Sequence, residues 1–385
     1  MKKFLALILA LAMVLSLAAC GSAPADDGDA AATDEPIKIG FVNYDPTAEQ
    51  YLVLDSYFEY LKETYNFEIM ASEALNSAEG ELAFIDACAA AGCKAVFGYY
   101  NVSNEQALLK CAEYGMYYFG QGANKAIVDN PELMNNEYYL GSFYVGPADY
   151  NYGYACIEAL VEAGCKKIAG VSGGKNFGVQ MFIDRWQGAM DAIADYQAQG
   201  VDVELVYEVA GFPGTDGAFE AGQTEVLSME GVDGLFSTLT ALMWIKPMQD
   251  AGKFGQIKVA AAGETMSEGA IGMFGAGFYV GTATEIIDVF GMAIPLVLNA
   301  VNGTPIREAD GTAPLIDSGW WKVSNVEEAG YYGSVQGGED GKSWVFDADD
   351  IASLLVVNNP DVTVDDYRAL YTAVTAAEIQ ARHAG

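Results

Sequence analysis

Gly170-Val171-Ser172-Gly173-Gly174 satisfies the pattern G-x-S-x-G directly after a strand-like run, the setting in which a strained turn exposes a nucleophilic hydroxyl. A serine nucleophile also needs a base. The one histidine, His383, stands in a polar stretch two residues from the last position, where nothing would hold an imidazole against Ser172. A serine hydrolase at Ser172 is therefore the weak alternative, and no catalytic residue is assigned. Zinc chemistry lacks ligands for the same reason, so neither metal nor cofactor is expected. Beyond Cys20 there are five cysteines, an odd number that cannot form a complete disulfide framework within one chain. Cys88 and Cys93 look like poor partners, because helical spacing sets them on different sides of a turn and Gly92 ends the helix between them. Buried small hydrophobes is the better reading of all five.

Residues suited to recognition are more numerous than residues suited to bond breaking, and the elements that must position them follow from a repeated unit. From Ile37 onward a β-rich apolar run gives way to a polar loop, an amphipathic helical stretch, a glycine and the next run. Runs fall at 37–43, 95–100, 116–120, 167–172, 203–209, 234–238 and 257–262, and the helices between them close on Gly92, Gly115, Gly164, Gly231 and Gly252. Glycine at those positions can take the left-handed conformation that ends a helix. Ala91-Gly92-Cys93-Lys94 and Ala163-Gly164-Cys165-Lys166 share their wording, as two similar lobes would. Strand and helix in alternation predict an α/β fold with parallel sheets covered on both faces. About 350 residues exceed what one core usually supports, so two lobes are expected, with the break near Val145-Gly146.

Ligands of open parallel sheets sit outside the carboxyl ends of the strands, where loops and helix amino termini converge. The candidate ligand-binding residues are therefore Asn43, Tyr44 and Asp45 after the first run, Tyr99, Tyr100 and Asn101 after the next, and Gln121 after the third. In the second half they are Asn176, Phe177, Thr238, Thr240, Glu264 and Glu285.

Residues 1–19 run from Met1-Lys2-Lys3 through an apolar stretch to Leu17-Ala18-Ala19, the order of an export signal, and the stretch is too short to span a bilayer. Leu17-Ala18-Ala19-Cys20 resembles the lipobox of bacterial lipoproteins. That resemblance implies a diacylglycerol on Cys20 and a membrane anchor on the extracytoplasmic face. Residues 20–36 then form a disordered acidic tether, having no large apolar side chain to bury. The formal net charge of −34 repels phosphate backbones, which excludes a nucleic-acid partner.

The order of motifs resembles the type I periplasmic-binding-protein superfamily, in particular its ribose- and galactose-binding branch. The resemblance covers roughly 37–305. It rests on Val145-Gly146-Pro147-Ala148-Asp149 through Gly153 and Gly164, on Gly173 through Arg185 and Gly188, and on Asn299-Ala300-Val301-Asn302-Gly303. It implies two Rossmann-like lobes joined by a hinge: 37–145 plus 283–312, and 146–282 plus part of 313–385. The family's sugar contact before the helix glycine falls on Arg185, which would donate forked hydrogen bonds to ring or hydroxyl oxygens. Its late acceptors fall on Glu264 and Glu285, either of which could instead cap the following helix. Tyr44, Tyr99, Tyr100 and Phe177 would wall an apolar ring face. Where many sugar binders carry Asp-Arg and Asn-Asp, this chain has Tyr100-Asn101 and Leu239-Thr240, so the pocket is less charged and more aromatic.

The resemblance implies a monomeric solute-binding lipoprotein that takes a small polar ligand, a sugar first, and hands it to an ABC transporter permease. A nucleoside or other ring-bearing metabolite is the alternative ligand, and a subunit presenting ligand to a membrane sensor the alternative role. A sugar-responsive repressor would need an amino-terminal helix-turn-helix, and an export signal stands there instead. Trp320-Trp321, Tyr331-Tyr332 and Trp344 are expected to pack over the lobe junction.

Overall fold

The computed structural model describes residues 35–383 apart from Tyr44, Asn76, 99–102, Ala123, 144–146, Gly178, Asp216, Ser318 and 372–375; the side chains of Glu49, Phe177, Glu285, 287–289 and His383 also lie outside the description. The first half alternates β1 (Ile37–Val42), α1 (Glu49–Lys62), β2 (Phe67–Ala71), α2 (Ala78–Ala91), β3 (Ala95–Gly98), α3 (Asn104–Glu113), β4 (Tyr117–Gln121) and β5 (Tyr139–Phe143). The second half repeats the plan with α4 (Ala148–Glu162), β6 (Lys167–Gly173), α5 (Gln180–Ala198), β7 (Glu204–Ala210), α6 (Ala218–Ser228), β8 (Gly234–Ser237), α7 (Ile245–Asp250), β9 (Lys258–Ala262), α8 (Glu268–Gly275) and β10 (Tyr279–Glu285).

Two six-stranded sheets result, in the orders β11-β5-β4-β3-β1-β2 and β12-β10-β9-β8-β6-β7. Without their outermost additions, β11 (Leu315–Ile316) and β12 (Trp320–Val323), the two orders are the same, so each half of the chain folds to one topology. Within these two sheets all described pairings are parallel except β10 with β12. Strands β3, β5 and β8 are buried along their whole length, as strands covered on both faces must be. The five glycines expected to end helices all take positive φ.

Strands β2, β5, β10, β11 and β12 lie outside the seven runs read from the sequence, and the first two show why. Phe67–Ala71 is a sheet edge with only Phe67 buried, so it carries no apolar run. Tyr139–Phe143 contains Gly141 at φ 104°, pressed against the Pro314 carbonyl; the glycine that weakens the strand signal is what lets the segment before β11 approach.

The chain passes between the sheets after β5, after β10, and between β11 and β12. Each passage leaves the carboxyl end of a strand: Phe143, Glu285 and Ile316. The strand ends of both lobes therefore border the crossing segments. After β10 the chain packs on the first lobe, where Tyr117 donates to the Ala300 carbonyl of α9 (Ala293–Val301) at 3.1 Å. The last stretch touches both lobes. In α10 (Val326–Ser334), Gly333 lies against Ile271 and the Met266 carbonyl of the second lobe. Farther on, Tyr57 of α1 donates to the Phe346 carbonyl at 2.7 Å and Tyr60 accepts from the Ala348 amide at 2.9 Å.

The tightest contact between helices lies in the second lobe. A Cβ on Gly153 of α4 would stand 1.7 Å from the Arg185 carbonyl oxygen, and one on Gly188 of α5 would stand 1.9 Å from that of Tyr150. Two reciprocal glycines let the backbones of α4 and α5 touch. Gly188→Ala should destabilise the protein by about 1–3 kcal/mol through this overlap, read as a lowered urea midpoint. Gly272→Ala, with open space around it, should leave stability unchanged or raise it.

Candidate functional site

The second lobe gathers its polar residues at the ends of β6, β8 and β9. The sheet order reverses between β6 and β8, and open α/β sheets bind ligands at such a switch point. Arg185 is 4 % exposed. It donates from Nε to Asp149 Oδ1 at 2.8 Å and from Nη1 to the Thr238 carbonyl at 3.0 Å. Its guanidinium lies 5.3 Å from the Tyr152 ring centre and covers Gly263, where a Cβ would stand 2.9 Å from Nη1. The one cation thus ties α4, α5 and the ends of β8 and β9 together.

Glu264, 2 % exposed, is the second centre. Its Oε2 accepts from the Thr240 hydroxyl at 2.7 Å, from the Ala241 amide at 3.3 Å and from the Tyr279 hydroxyl. Burial, and then the carboxylate, hold the Tyr279 phenol well above the usual range. Between the two centres sits Thr238, fully buried, its Oγ1 without a protein partner. A buried hydroxyl left unpaired costs desolvation energy, and in a binding site a ligand atom repays it. Thr282, beside β9 in the sheet, also buries an unpartnered Oγ1.

The structure brings together Arg185, Thr238, Thr240 and Glu264 among the residues expected from sequence. Asn176 is exposed on the single-turn helix Gly174–Phe177. Glu285 ends β10 opposite Trp320, and the side chains of Glu285 and Phe177 lie outside the described residues. In the first lobe, Asn43 is buried after β1; its amide donates to Ser72 Oγ at 2.9 Å and its Oδ1 accepts from the Asp45 amide at 2.9 Å. Asp45 accepts from the amide and hydroxyl of Thr47 at 3.0 and 2.6 Å, bonds that lower its pKa and shape the entry to α1. Gln121 is half-buried at the end of β4. Tyr44, Tyr99, Tyr100, Asn101 and Cys20 lie outside the described residues.

Sequence reasoning missed Asp149 and Tyr279 as partners of the two centres, although Asp149 stood inside a quoted motif. It also missed Glu81, fully buried in the first turn of α2, which accepts from the Ser103 hydroxyl at the start of α3. Burial raises the Glu81 carboxyl above its ordinary range. Ser172, at the centre of the G-x-S-x-G match, lies inside β6 and not on a turn, its buried hydroxyl donating to the Val209 carbonyl at 3.4 Å. Among the described residues no helix is long and apolar enough to cross a membrane.

No protein-family model and no curated relative matches the chain. Solved structures do. A periplasmic solute-binding protein of an ABC transporter from Actinobacillus succinogenes 130z, with bound D-allose, aligns with a TM-score of 0.62 and 17 % identity over 76 % of this chain and 99 % of that one. A solute-binding protein from Bacillus halodurans C-125 with bound myo-inositol gives 0.60 and 16 % over 79 % and 99 %. The periplasmic binding component of the arabinose ABC transporter from Shewanella sp. ANA-3, bound to α- and β-L-arabinofuranose, gives 0.60 and 16 % over 76 % and 93 %. At these identities the likeness shows the fold alone: two α/β lobes, each built on a mostly parallel sheet, as the motif order implied.

Asp149→Ala should cost about 1–3 kcal/mol, because it removes an acceptor from a buried guanidinium, with Asp149→Asn in between; denaturant unfolding measures both. Glu81 gives a pH effect of known sign. A carboxyl whose folded pKa is raised adds stability below its unfolded pKa of 4.5 that is lost as pH climbs through the folded value. The melting temperature of Glu81→Gln relative to the native protein should therefore be higher at pH 7.5 than at pH 4.

Proposed function

We propose that this chain is an extracytoplasmic solute-binding protein that captures one small uncharged polyhydroxyl ligand, a sugar first, between its two lobes and presents it to an ABC permease. The observation that carries the reading is the unpartnered, buried Thr238 hydroxyl between Arg185 and Glu264 at the switch point of the second sheet. Arg185 is compensated by Asp149, and Glu264 is satisfied by three donors. A zwitterionic amino acid or a phosphate would need charge that is not already paired; a hydroxylated ring needs single donors and acceptors, and Thr238 offers one. The allose, inositol and arabinofuranose held by proteins of the same fold fit that chemistry.

Binding without bond breaking assigns no catalytic residue, and Ser172, inside β6 with its hydroxyl given to the Val209 carbonyl, is not on the strained turn that a nucleophile needs. The three crossing segments would serve as the hinge, and lobe closure on ligand would give the permease a form to recognise. A lipid on Cys20 would hold the monomeric protein at the membrane, with 21–36 as tether.

The test is a thermal-shift screen of the chain from Gly21 onward against sugars, polyols, nucleosides and amino acids. A specific ligand at a hundred times its Kd should contribute about 2.7 kcal/mol, a clear rise in melting temperature, and Thr238→Val should abolish the rise while leaving the unliganded melt close to native. Stabilisation by nucleosides alone would replace the sugar with the alternative ligand class, and stabilisation by amino acids alone would overturn the argument from paired charges.

A further inference from the structure

The end of α2 differs from the helical spacing that made Cys88 and Cys93 look like poor partners. The helix stops at Ala91, Gly92 turns left-handed at φ 81°, and the Cys93 amide donates back to the Cys88 carbonyl at 3.0 Å while the Gly92 amide donates to Ala89 at 3.1 Å. This is the closing motif in which the residue three from the helix end and the second residue beyond it bring their side chains into contact. The same backbone bond recurs at six other helix ends, where the facing residues are Cys111 and Met116, Leu160 and Cys165, Tyr196 and Val201, Met248 and Lys253, Met273 and Phe278, and Asn299 and Thr304. Only at the end of α2, among these seven, are both facing residues thiols.

We propose that Cys88 and Cys93 form a dithiol site that closes reversibly to a disulfide by exchange with small-molecule disulfides. The two thiols lie close enough to perturb each other's acidity. Cys88 is completely buried and Cys93 retains 5 % exposure, which makes Cys93 the sulfur that meets an external disulfide and Cys88 the one that resolves. Space for the inner sulfur is built into the neighbouring strand, since a Cβ on Gly40 would stand 2.4 Å from Cys88 Sγ. The acidities divide in the same sense. The Cys88 thiol and the Lys38 ammonium favour a Cys93 thiolate, whereas the neighbouring Cys93 thiol and burial push Cys88 up.

The exchange balances in two displacements. The Cys93 thiolate attacks one sulfur of R–S–S–R, forming a mixed disulfide and expelling one RS⁻. The Cys88 thiol gives its proton to that thiolate, attacks the Cys93 sulfur and expels the second RS⁻, which takes from solvent the proton that Cys93 released on becoming a thiolate. One external disulfide is reduced to two thiols, and the protein loses two hydrogens. The product would staple the end of α2 to the residue two before β3.

The experiment incubates the folded chain from Gly21 onward with excess oxidised glutathione, then unfolds and alkylates it. The five cysteines, all free in the structure, should fall to three alkylated sites, with an intact mass two hydrogens lower before alkylation and a Cys88–Cys93 link in the peptide map. Dithiothreitol should restore all five. Cys111→Ser should lose the same two thiols, and Cys93→Ser should form no internal link. Five alkylatable thiols after oxidation, or a link from Cys88 to Cys111, would overturn the proposal. The native peptide map decides between these outcomes even if a variant fails to fold.

Discussion

The close crossing of α4 and α5 is the contact on which the second lobe's polar centre depends. Gly153 and Gly188 remove the two side-chain atoms that would hold the helices apart, and carbonyl oxygens of the opposite helix fill that space. Asp149 sits one turn before Gly153 and Arg185 one turn before Gly188, so the approach of the backbones sets the reach of the ion pair. A buried guanidinium is tolerated only where its donors find acceptors. With α4 at this distance Arg185 has Asp149 on one side and the Thr238 carbonyl on the other. Helix packing, charge compensation and the position of the β8 end are one constraint.

That constraint explains which candidate residues sequence reasoning could identify. Thr238, Thr240 and Glu264 were legible because each follows a strand in a repeated unit, and period and punctuation locate such positions well; Arg185 came only from the family resemblance, whose sugar contact falls three residues before Gly188. Their partners were less legible. Asp149 opens a helix and reads as an ordinary dipole-favoured acid, while Tyr279 begins a strand and reads as core. Neither residue type nor spacing tells that the first meets Arg185 36 positions later or that the second meets Glu264. The same limit applies to the cysteines: helical periodicity holds up to Ala91, and the left-handed Gly92 then turns Cys93 back onto Cys88.

The fold was legible in outline for a related reason. Runs such as 95–98 and 234–237 are buried along their whole length because both faces are covered, whereas edge strand β2 buries only Phe67 and leaves no pattern. The identical strand order in the two sheets agrees with the shared wording at Gly92 and Gly164. What no local pattern showed is that the outermost strand of each sheet comes from one late segment, with Ile316 closing the first sheet only four positions before Trp320 opens the last strand of the second.

That late segment bears on how the lobes can move. Trp321 packs on Tyr332 at 4.6 Å between ring centres and Trp344 on Tyr57 at 4.7 Å, so a continuous apolar core runs from α1 of the first lobe through the carboxyl-terminal segment to the second. Asn299 adds a polar pin, donating to the Leu354 carbonyl and accepting from the Val356 amide, each at 2.9 Å. Close-packed interiors resist shear because displaced side chains lose dispersion contacts at once. The bonds from Tyr57, Tyr60 and Asn299 tie the part from Phe346 to Val356 to the first lobe, while Gly333 sits against Met266, two residues from Glu264. Rotation of one lobe on the other must therefore be taken up at the crossings and in the short stretch between Gly333 and Trp344, which contains Gly337, Gly338 and Gly341, all at positive φ. The segment thus joins the first lobe to the residues beside Glu264.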